Sequence, residues 1–109
     1  TPEHNRSIPT ALKNALDWAS RPYGHNEWAG KPAGIVGASP GAVGTAVAQQ
    51  HLRGILGYLD MPTLGQPEVF IRFTDGLVDR DGRISADSTR KFLQGFMDRY
   101  AAWVKAFAA

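Results

Sequence analysis

Apolar positions along the chain repeat with two different periods. Leu12, Ala15, Leu16 and Ala19 recur at the three-to-four spacing of one helix face, while Lys13, Asn14 and Asp17 fall mostly off that stripe. Ser7 sits at a candidate N-cap, Pro9 suits a first helical turn, and Arg21-Pro22 stops the helix. Residues 22–31 form a loop whose Trp28 reads as a packing lid over the core. Residues 32–38 are a short, non-alternating apolar run bounded by turn residues, the pattern of a strand covered on both faces. Ser39-Pro40-Gly41 turns the chain. A second helix over Val43–Leu59 carries Val47, Ala48, Leu52, Ile55, Leu56 and Leu59 on one side. A second strand covers Pro67–Phe73 and is closed by Thr74-Asp75-Gly76. After the polar loop at 79–88, a last helix carries Phe92, Leu93, Phe96, Met97, Tyr100, Trp103, Val104 and Phe107, a stripe expected to be core.

Strands alternating with helices predict an α/β chain with a parallel sheet. Two strands alone make two edges with unpaired backbone groups and an uncovered face. The segment Thr1–Asn5 is loop material with no element before it. The expectation is therefore the later part of a longer domain. A length of 109 residues fits one small domain and not two.

Charge changes this picture little. Lys and Arg number 12 against 10 Asp and Glu, a net charge of +2 spread without the basic stripe of a nucleic-acid binder. No apolar run approaches the roughly 20 residues of a membrane span. With no cysteine there is no disulfide, thiolate nucleophile or cysteine metal site, and a cytoplasmic setting is the default expectation.

In a parallel sheet the loops leaving the C-terminal ends of the strands form the ligand crevice. Two such loops stand out, residues 1–8 and 37–45. Gly37-Ala38-Ser39-Pro40-Gly41 matches the G-x-S-x-G of a hydrolase nucleophile elbow. Serine hydrolysis at Ser39 fails on two grounds. The residue after the serine is Pro40, which has no N–H to hold an oxyanion. The one histidine downstream, His51, lies about two turns inside the following helix. The same loop is a poor phosphate cradle, matching neither G-x-G-x-x-G nor the P-loop, and suits backbone contact with a planar ring better. Asp79-Arg80-Asp81-Gly82 resembles part of a calcium loop but lacks carboxylates at the first and twelfth positions, Leu77 and Ser88. His4, His25 and His51 have no partner at a metal-ligand spacing, so no metal is expected.

The segment from Thr1 to Trp18, TPEHNRSIPTALKNALDW, closely resembles the TPEYN-x-S-x-P-x-x-LKNAIDW stretch of the NADPH-dependent FMN reductases, which include quinone, chromate and azo-dye reductases. The likeness continues through Gly30-Lys31-Pro32, Gly37–Gly41, Gln50-His51-Leu52-Arg53, Gln66-Pro67-Glu68 and Phe92-Leu93. The resemblance implies a flavodoxin-like, doubly wound parallel sheet with FMN at the strand ends, residues 1–109 being its C-terminal part and the loop for the FMN phosphate lying in the N-terminal half. By the same resemblance, Pro2, Glu3, His4 and Asn5 would line the flavin ring, largely through backbone groups, and Ser39 and Gly41 would approach it from the other side. N–H donors at the pyrimidine edge would stabilise the reduced ring, and no side chain need act as acid or base. The implied activity is electron transfer from NADPH or NADH to a small-molecule acceptor such as a quinone, in a homodimer or tetramer; a non-catalytic FMN-binding or interaction module is the alternative. Two positions depart from the pattern. His4 replaces a tyrosine, and either stacks on the ring or contributes only backbone. Gln50 stands where several relatives carry a tyrosine used between subunits.

Overall fold

The computed structural model describes residues 1–108. Helix α1 (Thr10–Ala19) leads through a loop to strand β1 (Val36–Ser39), helix α2 (Ala46–Tyr58), strand β2 (Val69–Arg72) and helix α3 (Asp87–Ala106). The strands pair in parallel, with Val36 opposite Val69 and Ser39 opposite Arg72, and a bridge from Ala33 to Thr63 extends the alignment. Parallel pairing requires the long crossover that α2 supplies.

Two apolar clusters hold the helices in place. Leu16 of α1 and Leu52 and Leu56 of α2, with Leu59 just beyond it, bury against Ala33 and Ile35. Trp28 packs on this cluster, and its indole N–H donates to the Leu16 carbonyl at 3.0 Å, so the lid reading of that residue holds. On α3, Phe96 buries with Leu64 and Val69, and the Trp103 indole N–H reaches the Pro62 carbonyl at 2.9 Å. Helices α1 and α2 thus gather in one cluster and α3 in the other, the layering of a doubly wound sheet, with β1 left partly open.

Several expectations shift at their edges. The strand expected at 32–38 is laddered only over Val36–Ser39, because Ala33 and Ile35 owe their apolarity to the core rather than to the ladder. Val36 is exposed, so β1 is not covered on both faces among the described residues. Residues 43–45 form a turn before α2, not its first turn, and β2 is shorter than Pro67–Phe73. The N-cap of α1 is Pro9, with no side-chain cap, because the Ser7 hydroxyl is taken by His51. Ala15 is exposed. Of the α3 stripe only Phe96 is buried; Leu93, Tyr100 and Trp103 are partly covered, and Phe92, Met97, Val104 and Phe107 stand open.

Gln49 is fully buried on the inner side of α2. Its amide donates to the Val69 carbonyl at 2.8 Å and to Thr45 Oγ1 at 2.9 Å, joining the first turn of α2 to the start of β2. Its Oε1 has no partner among the described residues. Removing this amide strands a buried carbonyl, so Gln49→Ala is expected to lower stability by about 2 kcal/mol in urea denaturation. Gln49→Ala with an unchanged midpoint would show the staple to be idle.

Candidate functional site

Because the strands are parallel, Ser39 and Arg72 end them on the same side of the sheet. There the chain leaves β1 in a tight turn. Gly41 N–H donates to Ser39 Oγ at 3.2 Å, and Gly44 N–H to the Gly41 carbonyl at 3.2 Å. Gly44 has φ +64°, and a Cβ there would approach the Phe70 backbone at 3.2 Å, so both conformation and space require glycine. A Cβ on Gly41 would meet only Ser39 Oγ, at 3.6 Å, leaving an open backbone surface.

The loop before α1 closes on itself. His4 N–H donates to the Ser7 carbonyl at 2.9 Å and Ser7 N–H to the His4 carbonyl at 3.0 Å, with Asn5 and Arg6 between them at φ 50° and 64°. Two consecutive positive φ values mark a type I′ turn. Asparagine tolerates this; arginine does so at a cost, and surrounding contacts must hold it. Among the described residues, no backbone acceptor takes the N–H groups of Asn5 and Arg6.

Those contacts come from Glu3 and Ser7. The Glu3 side chain is 8% exposed, and its Oε1 accepts the N–H of Ala48, in the first turn of α2, at 2.8 Å. Its Oε2 accepts from the Arg6 guanidinium at 3.3 Å. The N-cap residue Thr45 makes no side-chain cap, so a carboxylate from the other loop serves the helix instead, and its charge suits the helix N-terminus. One turn further along, His51 Nδ1 meets Ser7 Oγ at 2.9 Å. The structure therefore brings the loop of Pro2, Glu3, His4 and Asn5 against the helix that the Ser39–Gly41 loop feeds. Pro2 itself lies beside Val36, where it lines both of two apolar grooves of about 660 and 640 Å³.

Other candidates separate from this site. Ser39 Oγ serves the Gly41 N–H, and His51 faces Ser7, so the hydrolase pair is not assembled. Asp79 Oδ1 accepts the N–H groups of Asp81 and Arg83, both at 2.9 Å, as the hinge of a solvated turn. Sequence reasoning missed Arg6, the Ser7–His51 pair and Gln49. A polar residue on the apolar side of a helical stripe was the available signal for Gln49; nothing local signals the other contacts.

Helices packed about a parallel pair, with a glycine-bearing turn at the end of β1, define a flavodoxin-like α/β protein. Residues 1–75 match the family described as NADPH-dependent FMN reductase, and the chain belongs to that family. It is 57% identical over 105 residues to a 2-hydroxy-1,4-benzoquinone reductase of a Burkholderia species, covering 96% of this chain and 57% of that protein. A quinone reductase of Pseudomonas putida is 50% identical, with 96% of this chain and 56% of that protein covered. Among solved structures, FerB, a flavoenzyme NAD(P)H:(acceptor) oxidoreductase from Paracoccus denitrificans, superposes with a TM-score of 0.94 at 43% identity, over 100% of this chain and 60% of that one. The chain thus spans little more than half the length of these relatives.

The donor chemistry fits the ring of the family cofactor, FMN. Its pyrimidine carbonyls need N–H donors, which the Asn5-Arg6 turn offers, and its flat face needs open backbone, which Gly41 offers.

Proposed function

We propose that the protein acts in two-electron transfer from NADPH or NADH to quinones or similar small acceptors, with FMN at the strand ends. The observation that carries this reading is the strained turn at Asn5-Arg6, its N–H groups unclaimed by backbone, pinned through Glu3 and Ser7 to the helix that the Ser39–Gly41 loop feeds, in a chain of this family. FMN, when bound, would take up an electron pair from the nicotinamide and pass it to the acceptor. The protein's own part is binding and orientation. Pro2, Glu3, His4 and Asn5 line one side of the ring, mainly through backbone, with the Asn5 and Arg6 N–H groups toward its pyrimidine edge. Ser39 and Gly41 approach from the other side, Ser39 Oγ holding the Gly41 N–H so that the loop stays flat.

The remaining part of the family domain is the natural cover for the two grooves beside Pro2 and Val36, and would bring the grip for the FMN phosphate. A homodimer or tetramer in the cytoplasm completes the proposal. Support for self-association is the exposure of Trp18 on α1 and Tyr58 on α2, both beside Asp17 and Arg21. No helix is long and apolar enough to cross a membrane among the described residues.

The test is a visible spectrum of the whole protein as purified, followed by NADPH oxidation with and without benzoquinone. A flavin band and quinone-dependent oxidation are expected. A colourless folded protein that ignores added FMN would leave the ancestry standing and remove the enzymatic reading.

A further inference from the structure

Resting on the flavin reading above, we propose that the Glu3 carboxylate is a positioning group, which ties the first loop to α2 and so sets the two loops of the site relative to each other, while only the Glu3 backbone lines the ring. Three observations meet on it. The carboxylate is turned away from solvent, with an exposure of 8%, and so is committed to the protein. Its two oxygens have separate partners: Ala48 N–H at 2.8 Å and Arg6 at 3.3 Å. One partner belongs to the helix that the Ser39–Gly41 loop feeds, and the other is a residue of the strained turn.

The geometry explains what each arm does. The Ala48 arm bridges 45 residues of sequence and ties the first loop to the helix that the second loop feeds. A carboxylate at a helix N-terminus gains from the helix dipole as well as from the hydrogen bond. The Arg6 arm holds the guanidinium of a residue whose φ of 64° the backbone alone disfavours. Ser7 and His51 fasten the far end of the same turn to α2, three residues past Ala48 and so on the same helical face. With both ends pinned, the unclaimed N–H groups of Asn5 and Arg6 keep one direction. Releasing Glu3 lets the turn relax, and the donors lose their aim while the fold's two apolar clusters, which Glu3 does not join, stay packed.

The acceptor atom, not the charge, is what the Ala48 arm needs. Glu3→Gln keeps an amide oxygen in place for the Ala48 N–H, whereas Glu3→Ala removes it. The experiment titrates FMN into the apo form of the whole protein by flavin fluorescence, with the visible spectrum and melting temperature of each variant. Glu3→Ala is expected to weaken FMN binding tenfold or more and to alter the flavin band shape, and Glu3→Gln to restore most of both. Glu3→Asp, one methylene shorter, retains the charge but draws it back from Ala48, and is expected to fall between them; it carries the test if Glu3→Ala does not fold. Binding by Glu3→Ala or Glu3→Asp equal to wild type would overturn the proposal, whatever the melting temperature does. Glu3→Gln as weak as Glu3→Ala would also overturn it, since the Ala48 contact, which the amide oxygen keeps, would then not be what positions the loop. A wild-type protein that takes up no FMN overturns the functional reading, and this proposal with it.

Discussion

Alanine at Gly37 is expected to destabilise the protein by about 3 kcal/mol or more, the upper range for overpacking a closed site. A Cβ built there falls 1.9 Å from Thr45 Oγ1 and 2.8 Å from both Thr45 Cβ and the Thr1 carbonyl oxygen. A flexible side chain could yield, but Thr45 is fully buried and its hydroxyl is held by the Gln49 amide. Moving it would unpair an amide that also serves Val69. The backbone must therefore shift, either along β1 or at Thr1, and both lead directly into the candidate site. Weakened FMN binding should accompany the loss of stability. Chemical denaturation of Gly37→Ala, Thr45→Ala and the double variant checks the cause. Removing the threonine hydroxyl relieves the shortest of the three clashes and leaves those with Thr45 Cβ and the Thr1 carbonyl, so the double variant should recover part of the loss and show coupling. A Gly37→Ala protein within about 0.5 kcal/mol of wild type, the range of a neutral substitution, would mean that the strand accommodates a methyl group there.

Much of this arrangement is written in the spacing of apolar residues. The alternation of helix and strand, and hence the parallel pairing, follows from periodicity because Leu12, Leu16, Leu52 and Leu56 face a common core. Strand limits do not follow from it. Ile35 is apolar for burial against α1 and α2, and a burial signal does not end where the ladder ends. The α3 stripe misleads for a related reason. Its eight apolar residues occupy more of the helix circumference than the cluster around Val69 covers, so Phe92 and Met97 stay open, Met97 lining a groove of about 640 Å³. Ser7 was legible as a local cap, yet a hydrogen bond to His51, 44 residues away, takes its hydroxyl. The candidate site shows the same division. The resemblance of Thr1–Trp18 to a family segment locates the loop, and G-x-S-x-G locates the second. The clasp between them is long-range, from Glu3 to Ala48, and no local spacing encodes it. Asn5-Arg6 also lacks the glycine by which a type I′ turn is usually read, since tertiary contacts supply what a glycine would otherwise provide.

Truncating Phe96 is expected to cost about 3–4 kcal/mol, the usual range for a buried phenylalanine. Phe96 is 4% exposed and packs with Leu64 and Val69, while its ring stacks on Tyr100 with centroids 6.1 Å apart and planes within 9°. Both rings lie over Gly34, where a Cβ would come within 2.8 Å of Tyr100 and 3.2 Å of Phe96. Gly34 thus lets the aromatic pair sit directly on backbone just before β1, and that contact fixes α3 against the sheet. Phe96→Ala leaves a cavity under Tyr100 and removes the stack, so the whole chain should lose stability and α3 should lose the most. Phe96→Leu, which refills most of the volume, is expected to recover more than half of it, leaving a cost below about 1.5 kcal/mol. Val104 is exposed on the same helix, and Val104→Ala should change stability by no more than about 0.5 kcal/mol. Denaturation midpoints give the order, and amide hydrogen exchange separates the mechanisms. If Phe96 anchors α3 to the sheet, the α3 amides of Phe96→Ala should exchange faster than those of α1 and α2 beyond the global change. Uniform acceleration across all three helices would mean that the Phe96 cluster and the Leu16–Leu52–Leu56 cluster open as one unit, and that the two sides of the sheet are not independently stable.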